Sequence, residues 1–504
     1  MPPTTRTGPR LAPGAIARDL LCIYPDRDER APQLCTEMLL TLVANGYAAP
    51  DSPDGLNSPK RQQFATRSLA LGENFLASHD QANYGGDLAR AVEIGGSTNL
   101  ALAQQALEGL VDPSTQNVQR GAWLLRPFHE SLLWYDSRRD ASTGRWSVRK
   151  VHMRGTGITL ARMLLAPAAT GPQRHGRAAV DAIRNALTAP SPLAEISERL
   201  EDVLPAGQTY NRAPDTEDDE RSAWERGADP RLHALAERFC RHAEGVMGQA
   251  GASGAARLWQ LRSVIALDIA THIARTSWAE ADAPESEQFL LLSFGGGPRA
   301  ADPVRQKSEH FYRRSRLQIR TAVVQTLAER MCELHSAPVN WASEFEPRSG
   351  LGREDSIAGQ LSDLSPAAAA DDYDRIARAA AEVSDYDRGV GNSYRVLLES
   401  LGMLVGTGAY RYLTAGPDLL AALVGALSAR MPMSSREFFA AIREEWGLVV
   451  NQEAAATTAL GTLLDGAALE RNARKAEKLM SDAGLALGLS DRTMMVGERA
   501  RRTT

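Results

Sequence analysis

Residues 433–447, MSSREFFAAIREEWG, carry the helix signals that decide the fold. Ser434 and Glu437 stand three positions apart, the spacing of a capping box in which each side chain satisfies a backbone N–H at the other position. Met433 and Phe438 flank that box as a hydrophobic staple. Gly447 follows the last periodic residue, where a glycine closes a helix because it takes the left-handed conformation without a Cβ clash. The stretch predicts a helix starting at Ser435 and ending at Gly447.

Working outward, the same three-and-four spacing of apolar residues dominates. Downstream come a short apolar run, Leu448 to Val450, helices over 452–464 and 467–483, Gly484, and a strand-like run from Thr493 to Val496. Helices framed by two short strands have the element order of a small winged-helix-like module, although order alone carries no DNA binding. Upstream, helices are expected over 14–23, 31–45 with Gly46 as cap, 59–78, 98–110, 175–188, 192–203, 230–248, 254–278, 370–383 and 391–405. The 287–294 run, EQFLLLSF, reads as a buried strand. Asp302 as N-cap and Pro303 at the first helical position start a long helix to about residue 335.

The expected organisation is an N-terminal helical domain (1–118), a basic hairpin plus helices (119–204), an acidic linker or loop (205–230), a helical core with one strand and the long helix (231–335), a helical region (336–430) and a small α+β module (431–504). The acidic segment holds Asp215, Glu217, Asp218, Asp219 and Glu220 in a polar stretch unsuited to a core. A chain of 504 residues is long enough for several domains of ordinary size.

Composition excludes more than it assigns. Hydrophobic residues make up 43% and charged residues 24%, as in ordinary globular proteins, and a net charge of −5 gives no global attraction to phosphate or anionic lipid. Any polyanion site must therefore be local. Four scattered cysteines without a C-x-x-C pair fit a reducing compartment. The N-terminus lacks a secretory apolar core, and Leu419 to Leu427 is too short to span a bilayer, so a cytoplasmic protein is expected.

Two local basic elements stand out. From Arg126 to Arg154 there are seven positive residues against three negative, within strand-like aromatics and a glycine turn that read as a β-hairpin. Arg138, Arg139, Arg145, Arg149, Lys150, His152 and Arg154 supply or extend the charge there, and Trp146 is an aromatic on which a base can stack. The same pattern describes a solvated edge hairpin whose charges prevent strand-to-strand association. From Arg299 to Arg320 there are seven positive residues against two negative. Arg305, Arg313, Arg316 and Arg320 fall within about 80° on a helical wheel, with Glu309 among them, and the same side turns apolar farther along.

Catalytic and cofactor signals are weak. His129-Glu130 begins H-E-x-x-H, but Leu133 replaces the second histidine. Asp136 and Lys150 lack the further carboxylate of a metal-dependent nuclease core, because Val148 stands at its place. The Gly155-Thr156-Gly157 turn ahead of a helix reads as a plain cap more readily than as a phosphate cradle. The Gly295-Gly296-Gly297 loop fits neither a P-loop nor a G-x-G-x-x-G fingerprint. Cys240 with His242, and Asp268 with His272, each lack a second half at metal-site spacing. No cofactor and no metal is expected.

These readings predict a mainly α, multidomain helical protein with a basic β-hairpin, a few short strands and a winged-helix-like C-terminal module. Its expected role is that of a non-catalytic adaptor or scaffold subunit of a bacterial-type multiprotein assembly. It would contact DNA or RNA through both basic elements, in DNA processing or antiviral defence against foreign DNA, with protein partners and without a membrane. Two other classes fit the same residues: a protein-interaction subunit docking acidic partners, and a phosphoester-acting enzyme using His129, Glu130, Asp136, Lys150 and His152.

Overall fold

A computed structural model describes residues 13–26, 29–48, 129–130, 133, 136–139, 146–149, 155–166, 173–190, 230–295, 298–334, 373–383, 386–428, 431–490 and 493–497. The described chain is mainly helical. It comprises α1 (Pro13–Leu21), α2 (Ala31–Ala44), β1 (Asp136–Arg139), β2 (Trp146–Arg149), α3 (Thr156–Leu165), α4 (Gln173–Leu187), α5 (Pro230–Met247), α6 (Gly254–Glu280), β3 (Leu290–Leu291), α7 (Pro303–Leu334), α8 (Tyr373–Val383), α9 (Tyr386–Ser400), β4 (Leu404–Val405), β5 (Tyr412–Leu413), α10 (Pro417–Ser428), β6 (Met433–Ser434), α11 (Ser435–Trp446), β7 (Leu448–Val449), α12 (Gln452–Ala456), α13 (Leu460–Leu463), α14 (Gly466–Asp482), β8 (Ala486–Ser490) and β9 (Thr493–Val496). Among the described residues no helix is long and apolar enough to cross a membrane.

Helix α6 is the axis of the fold. Its residues Leu258, Leu261, Val264, Ile265, Leu267, Ile269 and Ile273 are all buried, so apolar positions surround the helix instead of lining one face. A helix of that kind belongs in the middle of a core. Accordingly α1, α2, α5, α7, α9 and α10 all pack against it, and α2, α3, α4 and α5 stack in succession on one side. The largest buried cluster joins residues from Ile16 in α1 to Val496 in β9.

A second, smaller cluster lies on the other side of β3. The run read as a buried strand pairs in parallel with the apolar run after Gly447, Leu290 opposite Leu448 and Leu291 opposite Val449. Strand alternation then divides the residues, with Leu290 and Leu292 in the main core and Phe289 and Leu291 in the second core beside Val304, Phe311 and Leu460. Asn472 of α14 fastens this region: it accepts from Phe294 N at 2.8 Å and donates to the carbonyls of Leu292 and Val450 at 2.9 Å each.

The capping box and the glycine stop are both present. Ser434 accepts from Glu437 N at 3.2 Å, Glu437 accepts from Ser434 N at 2.8 Å, and Gly447 closes α11 at φ +73°. Asp302 caps α7 by accepting from Arg305 N at 3.0 Å. The helix expected over 452–464 is instead two short ones, α12 and α13. Between them Ala459 N donates to Ser286 O at 2.8 Å and Leu460 N to the Thr458 hydroxyl at 3.2 Å, which draws both amides out of a continuous helix. The helix expected over 391–405 stops at Ser400, since Gly402 turns the chain at φ +63° into the β4–β5 hairpin.

The last part of the chain folds around a three-stranded sheet of order β6-β9-β8, antiparallel throughout. Helix α10 precedes β6, helices α11 to α14 lie between β6 and β8, and the β8–β9 hairpin follows α14 directly. The expected helices over 59–78, 98–110 and 192–203 and the segments 205–229 and 336–369 lie outside the described residues.

Candidate nucleic-acid interface

The hairpin forms as an antiparallel pair, with Asp136 opposite Arg149, Ser137 opposite Val148, Arg138 opposite Ser147 and Arg139 opposite Trp146. Arg145, Lys150, His152 and Arg154 lie outside the described residues. Next to the hairpin, the Gly155-Thr156-Gly157 turn starts α3, and its amides are already engaged. Gly155 N and Gly157 N donate to the two carboxylate oxygens of Glu37 at 3.0 and 2.7 Å, and Glu37 is buried. An internal carboxylate therefore occupies the anion position of that helix start.

The Arg299 to Arg320 element becomes a charged face with contributions from three parts of the fold. Buried Glu309 accepts from Arg299 at 2.8 Å and lies 3.5 Å from Arg305. Arg299 stands over the Tyr410 ring at 4.9 Å and Arg305 over Tyr412 at 4.3 Å, both cation–π distances. Arg316 is half-buried farther along the same side. Arg313 is exposed and donates to the Glu309 carbonyl at 3.3 Å, while Arg320 is half-buried and engaged within the protein. Helix α9 adds Arg395, and the residue before β5 is Arg411; the two share Glu399 at 2.7 and 3.2 Å. The sequence reading missed these two arginines and Tyr410. Their signal was the alternation Tyr410-Arg411-Tyr412, but only folding carries it beside α7.

Helix α14 presents a second cationic face, also missed. Ala468, Leu469, Asn472, Ala473, Ala476 and Met480 are buried, which turns Arg471, Arg474, Lys475 and Lys478 to solvent. Lys478 pairs with Asp482 at 2.8 Å, whereas Arg471, Arg474 and Lys475 make no ion pair among the described residues. Arg471, Arg474 and Lys478 fall within roughly 60° on the helical wheel. Beside this helix a cleft of about 100 Å³ runs between Arg471, Lys475, Gly295 and Asp302. Asp302 lies against Gly295 so closely that a Cβ there would meet its carboxylate at 1.5 Å, so the start of α7 faces its own cap.

Of the residues weighed for catalysis or metal binding, Lys150 and His152 lie outside the described residues, and the following make contacts within the protein. His129 is buried, and Glu130 accepts from the Tyr47 hydroxyl at 3.3 Å. Cys240 donates to Met163 O at 3.5 Å and His272 Nε2 to Leu21 O at 2.8 Å. His242 pairs across helices with Asp268, Nδ1 to Oδ1 at 3.0 Å, while its Nε2 meets Glu445 at 3.2 Å. Trp446 Nε1 donates to Asp268 at 2.6 Å and stacks on the imidazole at 4.2 Å. With both ring nitrogens held by carboxylates, His242 offers no free nitrogen to a substrate. Burial pulls its pKa down, but Asp268 and Glu445 outweigh that and leave it above the ordinary histidine value. Among the described residues no group of three His, Cys, Asp or Glu side chains is placed to hold a metal ion. Compared with models of protein families, with characterised proteins and with solved structures, the chain matches none.

Proposed function

We propose that this chain is an adaptor or scaffold subunit that contacts nucleic acid, and that its C-terminal module is a winged-helix-like reader of duplex DNA within a multidomain protein. The observation that carries this reading is the sheet order β6-β9-β8, with α14 leading directly into the β8–β9 hairpin and turning Arg471, Arg474, Lys475 and Lys478 outward. A helix of this kind, its apolar side in a core and its cations exposed, fits a major groove, where phosphates flank it on both sides. The adjoining hairpin would follow the backbone as a wing. Basic surface on α7 and on the β1–β2 hairpin would extend the contact beyond one groove.

The test is fluorescence anisotropy of the full chain with a labelled duplex. The triple variant Arg471→Ala, Arg474→Ala, Lys478→Ala is expected to weaken binding by about tenfold or more while leaving the melting temperature unchanged, because these side chains carry charge without packing. Equal affinities for wild type and variant would remove α14 from the interface.

A further inference from the structure

Along α14, Ala468, Arg471, Asn472 and Lys475 are spaced by three, one and three residues, so they share the side of the helix where its packed face meets its open one. Ala468 and Asn472 are buried there, while Arg471 and Lys475 are exposed. The Asn472 side chain accepts from Phe294 N and donates to the carbonyls of Leu292 and Val450, which fixes α14 against the chain just before Gly295. Opposite, the start of α7 supplies Asp302, Pro303 and Val304, and a cleft of about 100 Å³ remains between the two helices.

This cleft carries charge that the protein does not neutralise. Arg471, Lys475 and Asp302 all line it, yet neither cation pairs with Asp302 or with any other carboxylate among the described residues. Asp302 accepts from Arg305 N through one oxygen at 3.0 Å, and its second oxygen lies against Gly295. Pro303 has no N–H, and Gln306 N donates to Asp302 O at 3.2 Å. Val304, also at the cleft, is therefore the first-turn residue of α7 whose N–H has no acceptor among the described residues. Two cations against one carboxylate leave the cleft with an excess of positive charge, and such a cleft concentrates anions. Its volume of about 100 Å³ is well below the roughly 300–1,000 Å³ of a pocket that encloses a drug-sized ligand, so it admits one oxyanion group and not a whole nucleotide. Donors on two walls suit a tetrahedral group, whose oxygens point in different directions, better than a planar carboxylate.

We propose that this cleft is a seat for a single phosphate group, with Arg471 and Lys475 holding its oxygens from α14, Val304 N donating from α7, and Asp302 limiting the affinity by repulsion. The phosphate is either one of a nucleic-acid backbone crossing the mouth of the cleft or that of free phosphate or a small ester, since all present the same oxygens. The backbone source rests on the reading of α14 as a DNA-facing helix; the seat itself does not.

Isothermal titration of the full chain with inorganic phosphate at low ionic strength tests it. One saturable site is expected, weakened about tenfold in R471Q/K475Q, with the melting temperature of the phosphate-free protein unchanged because both side chains are exposed. Asp302→Asn should tighten phosphate about threefold, since asparagine keeps the helix cap and removes the repelling charge. Acetate at the same concentration should leave the phosphate titration as it is. Displacement of phosphate by a duplex without terminal phosphates identifies the backbone as the source, and retention against that duplex identifies free phosphate or a small ester. Phosphate binding without duplex binding would keep the seat and remove the reader, whereas duplex binding sensitive to the α14 triple variant, with no saturable phosphate binding, would keep the reader and remove the seat. Equal phosphate affinity in wild type and R471Q/K475Q, an affinity unmoved by Asp302→Asn, or displacement by acetate overturns the proposal.

Discussion

Glu37 shows how a single side chain fixes the course of the backbone. Its carboxylate takes two amides at the start of α3, and Gly157 is the residue that lets α3 approach α2 closely enough: a Cβ there would meet Met38 N at 2.7 Å and Leu34 O at 2.8 Å. Those neighbours are backbone atoms and cannot swing aside. Glu37→Ala leaves two buried N–H groups unpaired and should cost about 2–4 kcal/mol, read as a lower urea midpoint, with Glu37→Gln recovering part of the loss through its one remaining acceptor oxygen. An unchanged midpoint in the alanine variant would show that the amides find other partners. The glycines of this turn were plain in the sequence, but the ligand of their amides lay 118 residues upstream. No local pattern joins Glu37 to Gly155, which is why an internal carboxylate and an external phosphate looked alike.

At the scale of elements, legibility followed the range of the interaction. Helix α11 was readable to the residue because its capping box and closing glycine act within one turn, and the start of α7 was readable for the same reason. The two-residue strands β4, β5 and β6 went unread, since strands so short are defined by their partners and not by their own periodicity. The pair of β3 with β7 was half-legible: both apolar runs were visible, their parallel pairing was not. Likewise Cys240 with His242 and Asp268 with His272 were weighed along one helix each, whereas the contact that forms joins His242 of α5 to Asp268 of α6 and Glu445 of α11. This knot ties α11 to the central helices α5 and α6, and it has a pH signature. Because the folded pKa of His242 is raised, its contribution is fully present below the unfolded value of about 6.5 and is lost as pH rises through the raised value. Glu445, held below the usual carboxylate range by His242 and Arg241 despite burial, acts oppositely and loses its contribution only in acid. His242→Phe keeps the stack on Trp446 but takes a partner from each carboxylate, leaving Asp268 to Trp446 and Glu445 to Arg241, and should cost about 3 kcal/mol near pH 6. Its melting temperature should then converge on that of wild type as pH rises above about 6.5, and parallel curves across that range would count against a charged His242.

For the whole molecule, charge distribution decides how a polyanion can approach. The chain carries 57 basic and 62 acidic residues, so its net charge of −5 repels nucleic acid at long range, and attraction is local to cationic faces such as those of α14 and α7. The proposed binding through those faces would therefore depend steeply on salt. If Arg471, Arg474, Lys475 and Lys478 each neutralise one phosphate of a duplex, log Kd should rise with log salt at a slope of about 3 to 4, because each phosphate contact releases most of one condensed counterion. The Arg471, Arg474 and Lys478 triple alanine variant should lose about 0.9 of that slope for each contact removed, in the same anisotropy titrations run at several salt concentrations. A docking surface for acidic proteins gives a different result, since rim charges there change association rate more than affinity and the dependence is shallow. A slope near zero with duplex DNA, or a slope unaltered by the triple substitution, would move the contact away from α14 and leave protein docking as the better account of its exposed cations.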